Sequence, residues 1–153
     1  MILEVILLLL TGGVMVYAAH YDIKNHEIQL STIISIAILG FLFFILSGAS
    51  LFDLIYAEII ITIIYLIPAM LGMGFGDMLL FWGLGFFLID QLYINSFLLG
   101  FFVSAIILTI YQVDKYGLWK NKNRLQSIEF PLVPAILSGF VLFLIIYLIN
   151  SLI

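Results

Sequence analysis

The sequence predicts an all-α membrane protein, a polytopic bundle of six transmembrane helices. Three observations predict it. The 153 residues are 65% hydrophobic and 9% charged, whereas a soluble domain of this size carries roughly a quarter charged residues. The apolar residues fall into runs long enough for a helix to cross a bilayer, about 20 residues each. All five Lys and Arg residues sit in alternate connections between those runs.

By that ruler the first span is Ile2–Ala19, with Glu4 near its outer end, and the polar patch His20–Glu27 closes it. Met1–Ala19 lacks the basic start and small-residue cleavage site of a signal peptide, so it reads as a retained helix. The second span runs from Ile28 to Leu46, and Ser47-Gly48-Ala49-Ser50 reads as a turn. The third covers Leu51–Met70, with Asp53 and Glu58 in its first half and Pro68 and Gly72 marking its end. A fourth, Met78–Ile89, is short: about 18 Å of helix against a hydrocarbon core of about 30 Å. Its helix is therefore expected to begin ahead of Asp77. A turn at Asp90–Asn95, a fifth span to Val113, a long polar loop over Asp114–Glu129 and a sixth span over Pro131–Leu152 complete the chain. No room remains for a separate soluble domain, so residues 1–153 read as one membrane-embedded domain.

With six spans, the connections near residues 20–27, 71–77 and 114–129 share one face. They hold Lys24, Lys115, Lys120, Lys122 and Arg124, while the other face holds Glu4, Asp53 and Asp90. The positive-inside rule places the basic face in the cytoplasm and both termini outside. Trp119 in the basic loop reads as an interfacial anchor, and Trp82 with the Phe residues as packing or lipid-facing groups. The absence of cysteine excludes disulfides, thiolate metal sites and cysteine nucleophiles. No basic patch large enough for nucleic acid exists. His20 and His26 lack a third ligand in sequence, so no metal is expected, nor any other cofactor.

The chemistry concentrates at Gly72-Met73-Gly74-Phe75-Gly76-Asp77. Asp77 is the only Asp, Glu, Lys, Arg or His between Ile59 and Ile89, and an ionisable group within a membrane segment marks a functional position. Asp22 falls on the same predicted face. Two carboxylates brought together share one proton: the ionised member activates a water, and the protonated member donates to the carbonyl under attack. Gly74 and Gly76 would let a substrate strand approach the backbone. On residues alone the pair Asp22/Asp77 stands beside a second possibility, a non-enzymatic assembly factor or small transporter subunit using Asp77 in a proton or ion path.

Three strings resemble the type IV prepilin peptidases, intramembrane-type aspartyl proteases. Gly74-Phe75-Gly76-Asp77 matches their GxGD motif. Asp22 with Ile28 matches the start of a D-x5-I-P-N pattern. Phe130-Pro131-Leu132-Val133-Pro134-Ala135-Ile136-Leu137-Ser138-Gly139 is similar to a proline-containing string near the family's C-terminus. Two departures stand out: Gln29-Leu30 where the family has Pro-Asn, and Leu79 where it commonly has lysine. The cysteine-bearing zinc insertion and its N-methyltransferase activity are missing, as in a peptidase-only short form. The resemblance implies Asp22 and Asp77 as the catalytic pair and a prepilin or pilin-like precursor as substrate, cut at the cytoplasmic membrane face. Glu27 and Glu129 border that face, where they would attract the substrate's basic leader.

Overall fold

The computed structural model describes residues 2–70, 75–115 and 132–152. Among these residues the chain forms six helices: α1 (Ile2–Asn25), α2 (Leu30–Ser47), α3 (Leu51–Met70), α4 (Phe75–Gly85), α5 (Gln91–Lys115) and α6 (Val133–Leu152). Four of them, α1, α2, α5 and α6, are long and apolar enough to cross a membrane. Their outer surfaces carry Leu9, Leu10, Ile34, Ile38, Phe102, Ile106 and Ile110, positions where a bundle in water would place charge. These faces fit a multi-pass membrane protein.

Helix boundaries follow local capping. α1 continues through the polar patch beyond Ala19 and stops where His26 takes a left-handed conformation, φ 55°. The His26 N–H then donates to the Asp22 carbonyl at 2.8 Å, the αL form of helix termination. α2 ends at Gly48, φ 68°, within the expected turn. The same turn ends in a capping box: the Ser50 N–H and hydroxyl donate to Asp53 Oδ2 at 3.0 and 2.7 Å, and the Asp53 N–H donates back to Ser50 Oγ at 3.2 Å. Asp53 is thus a capping residue of α3. That helix ends at Met70, past Pro68. The expected turn at 90–95 is shorter than its composition suggests. Asp90 Oδ1 accepts the Leu92 N–H at 2.7 Å and lets α5 start at Gln91.

α4 does begin ahead of Asp77, at Phe75, but it ends at Gly85. Its 11 residues make about 16 Å of helix. The chain then turns inward, and Phe87 and Leu88 are fully buried. Irregular backbone at membrane depth is tolerable where protein covers it in this way. Hydroxyls along the helices are satisfied internally. Thr11, Ser35, Thr62, Ser96, Thr109 and Ser138 each donate to the carbonyl four residues back.

α1 packs on α2 and α6, α4 on α2 and α3, and α5 most extensively on α6. The core between them is aromatic. Phe43 of α2 meets Phe87, which meets Phe140 of α6, while Phe81 of α4 meets Phe97 and Phe101 of α5 edge-on. Two crossings rest on glycine. A Cβ on Gly40 would lie 2.8 Å from the Gly83 carbonyl oxygen, and one on Gly139 would lie 2.6 Å from the Phe97 carbonyl oxygen. Small residues allow such close backbone approach between membrane helices.

Candidate active site

Asp22 lies in the last turn of α1 on the face that continues Leu8, Thr11, Met15 and Ala18 into the interior. It is buried, 6% exposed, and a carboxylate so placed needs hydrogen-bond donors. Oδ2 accepts the backbone N–H of Val133, the first residue of α6, at 3.0 Å. The Leu132 amide lies beside it. Asp77 sits half-buried in the first turn of α4, where the free N–H groups of a helix start favour a carboxylate. It also lies within electrostatic reach of Tyr65 on α3.

The first turn of α4 and the α1–α2 connection are neighbours, because a Cβ on Gly76 would meet the Ile28 side chain at 3.8 Å. The last turn of α1 and the first turns of α2, α4 and α6 therefore gather at one end of the bundle. Gly76 is a helical residue inside α4 and not part of a turn. Packing does not demand glycine there, since an alanine would make only ordinary van der Waals contact. Glu27 is exposed in the connection just past α1. Gly72, Gly74, Trp119, Lys120, Lys122, Arg124, Glu129 and Pro131 lie outside the described residues.

The departures from the expected strings have local uses. Gln29 starts α2, and its Oε1 accepts the Tyr17 hydroxyl at 3.2 Å, tying the connection back onto α1. Leu79 is a half-buried residue of α4. His20 and His26 are exposed, and among the described residues no three potential ligands converge on a metal position.

Further polar groups sit away from this end. The Tyr147 hydroxyl of α6 donates to Glu4 Oε2 of α1 at 2.5 Å, joining the first and last helices at the opposite end. The Tyr56 hydroxyl of α3 donates to Gln91 of α5 at 2.9 Å. Trp82 Nε1 of α4 donates to Thr62 Oγ1 of α3 at 3.1 Å. Glu58 of α3 packs against Gly85 of α4. Its carboxylate fills the space a Cβ at Gly85 would need. Val133 is the residue at the site that sequence reasoning missed. The proline-containing string was the one signal near it, and a backbone donor leaves no residue signature.

The described residues are all helical or in short connections, with lipid-type faces and two acids on helix ends, and they fit a multi-pass membrane protein. The sequence pattern of the type IV leader peptidase family matches residues 9–111, more than half the chain, and the chain belongs to that family. Membership implies a protease of the leader-peptidase type. The matched segment holds both Asp22 and Asp77 and stops short of α6. Neither the curated proteins nor the solved structures contain a match to the chain.

Proposed function

We propose that this protein is a membrane aspartic endopeptidase that removes the basic leader from prepilins or pilin-like precursors, with Asp22 and Asp77 as its catalytic pair. The ionised carboxylate takes a proton from a water that attacks the scissile carbonyl. The protonated one donates to the carbonyl oxygen, and the tetrahedral intermediate then collapses with a proton passed to the leaving amine. A coupled pair of this kind titrates as a unit. In this reading all six helices span the cytoplasmic membrane, both termini lie outside and the site faces the cytoplasm. Glu27 and Glu129 attract the leader, while Gly74 and Gly76 let the substrate backbone come close.

The observation that carries the reading is the shared end of the bundle. The turn that buries Asp22 and the turn that bears Asp77 flank one connection, through Ile28 and Gly76. The test is cleavage of a prepilin by purified wild type, Asp22→Asn and Asp77→Asn. Both variants are expected to fall to background, and full activity in either one removes the dyad. A scaffold or transporter subunit would tolerate Asn at both positions. Charge reversal at Glu27 should raise KM for a basic leader, and unchanged kinetics would remove its role.

A further inference from the structure

Helix α6 starts without a capping side chain of its own. Leu132 occupies the N-cap place, its carbonyl accepting the Ala135 and Ile136 N–H groups at 2.9 and 3.1 Å, but leucine cannot accept the first-turn amides. Asp22 does so from 111 residues away, taking the Val133 N–H at 3.0 Å. Val133 itself is fully buried, and Asp22 is 6% exposed, so water competes little for the bond. The contact ties a residue inside the matched family segment to a helix outside it.

We infer that the Val133 backbone amide is a positioning group for Asp22, holding one carboxylate oxygen so that the plane of the acid is set by the start of α6. The inference rests on the peptidase reading above. It also gives α6 a part in catalysis: the helix supplies a fixed donor where membrane surroundings offer few others. The amides of Leu132 and Val133 at its start favour a carboxylate over a neutral acid, and a direct N–H bond fixes orientation as well as charge.

The test uses the full chain in detergent with a prepilin substrate. Val133→Pro removes the donor and exchanges the buried isopropyl group for a ring, and the backbone tolerates it because proline suits the first helical position, where its fixed φ matches and no intrahelical bond is lost. Val133→Ala keeps the donor and removes packing instead. The expected result is a kcat about tenfold or more below wild type for Val133→Pro, with KM within about twofold. Val133→Ala should stay within about threefold in kcat. Wild-type kcat in Val133→Pro, or an equal loss in Val133→Ala, overturns the inference.

A second measurement does not depend on how Val133→Pro folds. Asn at position 22 can still accept the amide and Ala cannot. Asp22→Ala should therefore unfold about 2–4 °C below Asp22→Asn, and equal midpoints overturn the inference. Activity retained by Asp22→Asn would instead sink the peptidase reading itself. An inactive Asp22→Asn beside a fully active Val133→Pro would sink only the positioning role.

Discussion

The α5–α6 crossing offers the sharpest test of the packing, through Gly139→Ala. A Cβ at this position would stand 2.6 Å from the Phe97 carbonyl oxygen, 3.0 Å from Phe97 Cδ2 and 3.1 Å from Cε2. Across the seam, a Cβ on Gly100 would stand 2.9 Å from both the Gly139 Cα and the Ser138 carbonyl oxygen. The nearest obstacle is main chain in a regular helix, so no rotamer change relieves it. The shortfall is roughly 1 Å from an ordinary contact, and the two helices must separate or slide. Overpacking of that kind costs about 1–3 kcal/mol. Replacing glycine in a helix interior returns about 0.5–1 kcal/mol. The net expectation is a loss of about 1–2 kcal/mol, or roughly 2–8 °C in midpoint for a chain of this length.

The measurement is thermal unfolding of the purified protein in one detergent, followed by intrinsic fluorescence. Gly13→Ala is the control, since a Cβ there meets nothing within 4 Å and should be neutral or stabilising by up to about 1 kcal/mol. Because α6 also bears Val133, the Gly139→Ala protein that remains folded should cleave more slowly. A Gly139→Ala midpoint equal to or above that of Gly13→Ala, with unchanged kinetics, would refute the close-packed crossing.

Three other perturbations follow from single contacts. Ser50→Ala removes the two capping bonds made by the Ser50 hydroxyl with Asp53 and should cost about 1 kcal/mol, read as a midpoint a few degrees lower with cleavage of the folded fraction unchanged. His26→Gly relieves a left-handed residue at the end of α1 and should raise stability by about 0.5–1 kcal/mol, so a lower midpoint would contradict the αL stop. Gly76→Ala fits against Ile28 at 3.8 Å and should leave the midpoint unchanged or raise it by up to about 4 °C. A fall in kcat/KM in that variant would therefore report on substrate approach, and wild-type kinetics would remove Gly76 from the site.

Most of the helices were legible because apolar runs broken by short polar connections have few other solutions in a membrane. The boundaries were less so, for reasons that lie in single atoms. His20–Glu27 reads as a polar break, yet α1 runs on to Asn25 because the stop is set by the backbone of His26. Asp90–Asn95 reads as a turn, yet one oxygen of Asp90 caps α5 at once. The start of α4 ahead of Asp77 followed from helix length alone, while its end at Gly85 did not. Ending there lets Phe87 and Leu88 fill the core, a tertiary demand with no local signature. Asp77 was visible as an acid among apolar residues, and Asp22 through its place on the same predicted face and its spacing to Ile28; the donor to Asp22 was not, being a main-chain N–H far along the sequence.

The way the two acids are held follows from the scarcity of other polar partners. The chain has only five Lys and Arg residues. Of these, Lys24 and Lys115 are described, both in the last turns of their helices. A buried carboxylate in such a protein must look to the backbone, and in a helical bundle the only free backbone donors are the first N–H groups of each helix. Asp22 meets this condition by reaching the first turn of α6, and Asp77 lies within the first turn of α4, where the helix start favours a carboxylate. Each of those helices is fixed by a glycine crossing, Gly40 with Gly83 for α4 and Gly100 with Gly139 for α6. The glycines and the acids thus form one mechanical unit: close crossings set the heights of two helix starts, and the helix starts set the two carboxylates. A substitution that widens either crossing should accordingly disturb one acid and leave the other in place. Gly40→Ala should act through Asp77, Gly139→Ala through Asp22, and the double variant should lose the sum of the two effects in log kcat. A double variant no slower than either single one would mean that the crossings do not act on separate acids.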